Sequence, residues 1–375
     1  MENIKYKLII SSSEKSSDIY YASGLSIPDD FIFLENLQTG KRMIFVSPLE
    51  YNRAKNHAKD ALDVYCSSEF LKGKKGGNIN LLRALIEHFN FESVIVPFDF
   101  PSGYLQLLSS KRIQVVCENG SFFPERLTKD VFEIEQIAIA QQLNEATIQY
   151  GCGILSDSIV NDGERLFFDG ELLTSERFKN LLNSYMIERG GYCDTLIASC
   201  GKDSSEPHNT GSGALLANQP IVIDNFPRLT DSRYWGDMTR TVVMGKASDI
   251  VKNAFNAVFE AKMRALEMVK VGVAVKELHQ KTIDILEKAG FKTYIDVNGH
   301  HVGFIHGLGH GVGLDIHEPP RVSVNIDHKL VENSVITIEP GVYYPEWGGV
   351  RLEDLVVVKN DGCELLNDPK CVLEI

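Results

Sequence analysis

Short apolar runs separated by polar turns dominate the first third of the chain. KLIIS, FIFLE, RMIFVS, SVIVPF and IQVVC have strand length, and NLLRALIEHFN between them carries apolar residues at helical spacing. Strands mixed with helices predict an α/β domain over residues 1–125. The Ser-rich stretch at 11–17 is too short for low complexity and reads as a loop, and no solenoid repeat is visible. At 126 the pattern changes. RLTKDVFEIEQIAIAQQLNEATIQYG places Phe132, Ile139, Leu143, Ala146 and Tyr150 on one helical face, which predicts a long helix opening a second domain, 126–375. Further helices are expected at LTSERFKNLLNSYMIERGG, IVKNAFNAVFEAKMRALEMV and VKELHQKTIDILEKAG, the first ended by a glycine pair and the last by Gly290. The β-branched runs QPIVIDNF, DMTRTVVMG, SVITIEPGVYY and GGVRLEDLVVV predict strands. The expected fold class is therefore α/β (α+β), the second domain being a helical shell around a chemically loaded sheet.

Composition agrees with two domains, because 375 residues at 43% hydrophobic exceed what one core usually supports. A net charge of -13 without a stripe of Lys and Arg excludes nucleic acid as a partner. The seven cysteines contain no CxxC pair, so reduced and mostly buried thiols are expected. MENIKYKLIISSSEKSSD lacks the apolar core of a signal peptide, and no run reaches the roughly 18 apolar residues of a membrane span, so a cytoplasmic protein with no membrane partner is expected.

The strands carry nearly all the notable carboxylates. Alternation in GGVRLEDLVVV groups Arg351, Glu353 and Leu355 on one face and Val350, Leu352 and Asp354 on the other. In DMTRTVVMG it groups Asp237 with Thr239 and Thr241 and opposes Arg240. A carboxylate facing an apolar interior must be neutralised, paired or bound to metal. Asp224, Asp237, His310, Glu339 and Glu353, at predicted strand ends and tight turns, make a metal-ligand set of four carboxylates and one imidazole, too many for Arg351 alone. The run FIHGLGHGVGLDIHE adds His306 and His317, with glycines that allow close backbone approach.

In order, IVIDNFPR, GDMTRT, HGLGHGVGLDIHEPP, TIEPGVYY and GGVRLEDLVVV resemble the aminopeptidase P and prolidase group of Xaa-Pro peptidases. The resemblance covers the second domain and implies the pita-bread fold there, with a creatinase-like N-terminal domain before it. It implies two divalent metal ions. Asp224 chelates the first, Asp237 and Glu353 bridge both, and His310 and Glu339 complete the second, with a hydroxide between them as nucleophile. Oxygen-rich ligation favours Mn²⁺, with Co²⁺, Fe²⁺ or Zn²⁺ as alternatives. The same resemblance makes His208 a histidine that closes over the site, His317 a contact to the scissile carbonyl and His306 part of the substrate pocket. Glu339 would shuttle a proton, and Arg351 and Tyr343 would support the site. The implied substrate is a peptide with proline in second position, and a homodimer is the expected assembly.

Two departures and two alternatives bear on this reading. The Asp224 to Asp237 interval is two residues longer than usual for the family, and NFPR replaces the common glycine. A longer hairpin turn is expected there, with Asp231 as the rival ligand within it. The alternatives are a catalytically diverged relative that binds peptides or acts on another small substrate, and a methionine aminopeptidase, which lacks such an N-terminal domain. Five filled ligand positions favour hydrolysis.

Overall fold

The five apolar runs of the first third pair, with one more strand, into a six-stranded mixed sheet. Its order is Leu62–Cys66, Lys41–Val46, Phe31–Asn36, Tyr6–Ser11, Ser93–Pro97 and Gln114–Glu118. The edge strand Leu62–Cys66 escapes the apolar pattern because its burial does not alternate. Both faces of the sheet are covered. Leu8, Ile10, Ile32 and Leu34 pack with Leu81, Leu82 and Leu85 of helix Asn78–Phe89, whereas Ile9, Phe33 and Ile44 pack with Ile19, Ala54 and Phe123. The computed structural model describes residues 5–73, 76–161, 163–368 and 370–375, in two units, Met1–Pro124 and Glu125–Ile375.

In the second unit the long helix runs Val131–Ser156. A capping box starts it: Asp130 accepts from the Glu133 N–H at 2.8 Å, and Glu133 accepts from the Asp130 N–H at 2.9 Å. The buried face overlaps the expected one only in part, at Leu143. Phe132, Ile139 and Tyr150 are exposed, while Ile137, Ala140, Gln141, Asn144, Thr147 and Ile148 are buried. Buried polar residues, each hydrogen-bonded to main chain, take the inner positions. Helices Ser175–Ile187, Asp249–Met268 and Val275–Lys288 occur where amphipathic spacing predicts them.

Three antiparallel strands, Ile197–Cys200, Ile221–Asn225 and Met238–Val242, form one small sheet. A second contains, in order, Glu318–Val322, Gly309–Gly311, Val335–Ile338, Asp354–Lys359 and Gly362–Leu365. Two runs expected as single strands are each broken. SVITIEPGVYY stops at Ile338 and restarts at Gly341, and GGVRLEDLVVV stops at Arg351 and restarts at Asp354. Pro340 explains the first break, since it has no N–H for a ladder. The partners change together there: Val335–Ile338 pairs with Asp354–Lys359, and Gly341–Tyr344 with Gly348–Arg351. Glu353 meets the three-stranded sheet instead, its N–H donating to the Thr239 carbonyl at 3.0 Å.

The cysteines are all unbridged, but only Cys66 and Cys193 are buried, and Cys117 is exposed. Their scatter between core and surface replaces the expected buried set. Among the described residues no helix is long and apolar enough to cross a membrane.

Candidate metal centre

The two strand breaks and the end of the Ile221–Asn225 strand face a cavity of about 860 Å³. Its wall includes all five expected ligands, together with His208, His306, His317 and Arg351. Tyr343 lies behind it, fully buried.

Asp224 stands opposite Thr239 in the antiparallel register, so both reach the same face. The Thr239 hydroxyl bridges two carboxylates, at 2.9 Å from Asp224 Oδ1 and 2.8 Å from Glu353 Oε2. Asp237 precedes strand Met238–Val242 and is held at both main-chain ends by Gln141. The Gln141 amide accepts from the Asp237 N–H at 2.7 Å and donates to its carbonyl at 2.9 Å. The extra residues between the two aspartates make a small excursion. Arg228–Leu229 pairs with Gly191–Tyr192, and the Leu229 N–H closes the turn on Tyr234 at 3.0 Å. Asp231 sits at its exposed tip, away from the cavity wall.

His310 enters from strand Gly309–Gly311, which is threaded between Val335–Ile338 and Glu318–Val322. A Cβ at Gly309 would strike the Thr337 carbonyl, and one at Gly311 the Pro319 carbonyl, so glycine on both sides lets the strand fit. The His310 Nδ1 donates to the Gly311 carbonyl at 3.2 Å, which assigns the lone pair to Nε2. That nitrogen lies 3.4 Å from Asp237 Oδ2 and 3.5 Å from Glu339 Oε1. Lone pair against carboxylate is repulsive, and burial holds the imidazole neutral by pushing its pKa down to about 3.

The acids are strained in the same sense. Burial, then the neighbouring Glu353 and Asp224 charges, raise Asp237 well above the usual carboxylate range. Burial, then Glu339 and Asp224, do so for Glu353. Glu339 is pushed up to about 8 by burial, with Asp224 adding to it and Arg351 opposing. The Arg351 guanidinium pairs with Asp224 at 2.8 Å and also donates to the Tyr343 hydroxyl at 2.8 Å. That hydroxyl bonds His306 Nε2 at 2.9 Å, while His306 Nδ1 donates to the Gly307 carbonyl at 2.7 Å. His306 is thus a neutral acceptor, its pKa lowered to about 3 by burial and then by Arg351. His317 packs edge-on against His310 at 4.4 Å between centroids and, like His208, is exposed.

One ligand atom each of Asp237, His310 and Glu353 lies within 4.8 Å of the others, and all three residues are buried. Neutral imidazole and crowded carboxylate oxygens aimed at one point fit a hard or borderline divalent cation, which would remove the repulsion just described. Strand phase groups Arg351 with Glu353 and Asp237 with Thr239; Arg351, Glu353 and Asp237 line the cavity, and the Thr239 hydroxyl reaches the Asp224 and Glu353 carboxylates. Three residues of the site receive no role from sequence reasoning: Thr239, Gln141 and Arg321, the last lining the same cavity. A threonine two residues after Asp237, on the same strand face, is the available signal for the first. The other two have none.

A family model described as metallopeptidase family M24 matches residues 136–360. The chain is 30% identical over 362 residues to the Xaa-Pro dipeptidase of Pyrococcus furiosus, covering 94% of this chain and 91% of that protein. Among solved structures, the prolidase from Pyrococcus furiosus superposes with a TM-score of 0.78 at 26% identity, over 97% of this chain and 96% of that one. The X-Pro aminopeptidase from Thermotoga maritima superposes with a TM-score of 0.79 at 26% identity, over 99% and 98%.

Proposed function

The chain belongs to metallopeptidase family M24, and from that premise we propose that it hydrolyses the bond between an N-terminal residue and proline, with Xaa-Pro dipeptides preferred. The observation that carries this is the buried set of Asp237, His310 and Glu353 in the wall of a cavity large enough for a dipeptide. In this reading Asp224, Asp237, His310, Glu339 and Glu353 hold two divalent cations, with Mn²⁺ suited to so oxygen-rich a set. When bound, the cations supply Lewis-acid polarisation of the scissile carbonyl and acidify water.

The protein's own groups do the rest. Partial enclosure at the cavity mouth and then the Arg321 charge lower the His317 pKa from its ordinary value, which favours the neutral ring, a hydrogen-bond donor for the carbonyl oxygen as charge develops there. His208 covers the opening. Glu339 would shuttle a proton from the attacking water to the leaving proline nitrogen. Arg351 keeps Asp224 oriented and, through Tyr343, fixes the His306 ring in the pocket wall. Arg321 is an exposed cation on the cavity wall, suited to the free carboxylate that a dipeptide carries close to its scissile bond. The whole-length relative named a dipeptidase points the same way.

The test is a parallel assay of Mn²⁺-loaded protein on Xaa-Pro dipeptides and Xaa-Pro-Yaa tripeptides. Proline release from dipeptides at the higher kcat/KM is expected. Cleavage of neither substrate sinks the peptidase reading, and faster tripeptide turnover overturns the dipeptide preference.

A further inference from the structure

Behind the ligand segments lies a second buried group of charges. Asp354 and Lys262 are completely buried, Arg240 is 7% exposed, and the carboxylate contacts both cations. Lys262 comes from helix Asp249–Met268 and meets one oxygen of Asp354; Arg240 donates to the other at 2.9 Å. Asn367 donates to that same oxygen at 2.8 Å. Unlike the acids of the front face, Asp354 has a cation against each of its oxygens.

The hydrogen bonds of this group end on the main chain of the ligand segments. Arg240 Nη1 donates to the Glu353 carbonyl at 2.6 Å and to the Thr239 carbonyl at 3.0 Å. Arg240 Nη2 reaches Asp354 and the Asp368 carbonyl at 2.9 Å. Asn367 accepts from Gln141 at 3.0 Å, and Gln141 clamps the N–H and carbonyl of Asp237. The residues whose side chains face the cavity as Asp237 and Glu353 are thus gripped from the rear.

We infer that Arg240, locked by the Asp354 carboxylate that Lys262 and Asn367 hold, is the positioning residue for Glu353, and that this rear group sets the metal affinity of the centre. The inference rests on the metal-binding reading above. A buried ion pair kept only for stability can be exchanged for neutral residues without much loss. A positioning group cannot, because outer partners of metal ligands typically govern affinity by about 10- to 100-fold.

Two variants separate these roles. Lys262→Met with Asp354→Asn removes the carboxylate lock and one cation, and leaves the Arg240 guanidinium on the Glu353, Thr239 and Asp368 carbonyls alone. Arg240→Lys keeps the charge and loses the planar fork that reaches Glu353 and Asp354 together. Mn²⁺ binding to metal-free protein is measured by titration calorimetry, alongside melting without metal. Both variants are expected to bind Mn²⁺ about tenfold or more weakly at a temperature where they stay folded, and the double variant also melts below wild type because the buried Arg240 charge has lost its partner. At saturating Mn²⁺, kcat should recover to within about threefold with KM unchanged, since outer partners act mainly on affinity. A folded variant that binds Mn²⁺ as wild type does overturns the inference. If the double variant fails to fold, Arg240→Lys decides alone. Wild-type protein that binds no Mn²⁺ overturns the metal reading itself, and that failure appears before any variant is made.

Discussion

Glu353 and Asp354 are neighbours in the chain and both almost fully buried, yet they occupy opposite electrostatic surroundings. Glu353 faces a cavity shared with Asp237, Glu339 and Asp224, where burial and like charge push it toward protonation. Asp354 faces Lys262, Arg240 and Asn367, and its charge is balanced. The difference shows how to tell a functional buried acid from a structural one. A balanced acid is complete within the protein, whereas a crowded, unbalanced set is complete only with something added. Front and rear of one short segment therefore have separate jobs, and separate perturbations should expose them.

The sharpest break comes from Asp237→Ala at the front. It should lower kcat/KM for an Xaa-Pro dipeptide on the order of a thousandfold, the size of losing several kcal/mol of charge stabilisation, and should abolish the rise in melting temperature on adding Mn²⁺. Arg240→Met at the rear should cost stability, about 3 kcal/mol by denaturant unfolding of metal-free protein, because it breaks a buried pair from one side, and should weaken Mn²⁺ binding without abolishing it. If the two variants gave the same profile, the division between faces would be wrong.

Acidity offers the next handle. The front acids hold protons to a higher pH folded than unfolded, Glu339 from 4.5 to about 8, so the native state binds more protons in that window. Stability of metal-free protein is then present at low pH and falls as pH rises through it. Melting scans from pH 7 to 8 should show that decline, above the range in which unfolded His306 and His310 take up protons and oppose it, and Mn²⁺ should reverse it most at pH 8, where the ligands give up their protons most readily. A flat profile without metal would argue that the front face is already compensated.

Smaller effects probe the rim. Arg321→Ala should raise KM for dipeptides about tenfold, the worth of one charge-assisted contact, with tripeptides little changed; equal loss on both would remove the carboxylate role. Tyr343→Phe deletes the hydroxyl between Arg351 and His306 and should cost about fivefold in kcat/KM, near 1 kcal/mol.

Much of this division is legible in the order of residues, for a simple reason. Strand side chains alternate, so phase alone puts Glu353 with Arg351 and sets Asp354 and Arg240 apart. Period-3.6 spacing likewise locates the long helices. What resists reading is burial of polar groups. Gln141 and Asn144 look like the wet face of a helix, yet they are fully buried because each bonds the main chain of a ligand segment. That turns the helix so that, of the expected face, Leu143 stays inside while Phe132 and Ile139 lie outside. Lys262, in the run EAKMRA, reads as a solvent lysine and is 0% exposed. The strand breaks are hidden too, since SVITIEPGVYY keeps its β-branched texture across Glu339 and only Pro340 hints at an interruption.

Those breaks bear on how the protein is made. Asp237, His310, Glu339 and Glu353 gather at the seam where one sheet hands over to another, and the seam draws on positions from 224 to 353. Contacts of such long sequence separation are slow to close, so metal competence should be the last property a refolding chain acquires. A nascent chain still short of Glu353 would carry only part of the proposed ligand set, so the proposed activity should appear only after its C-terminal strands dock.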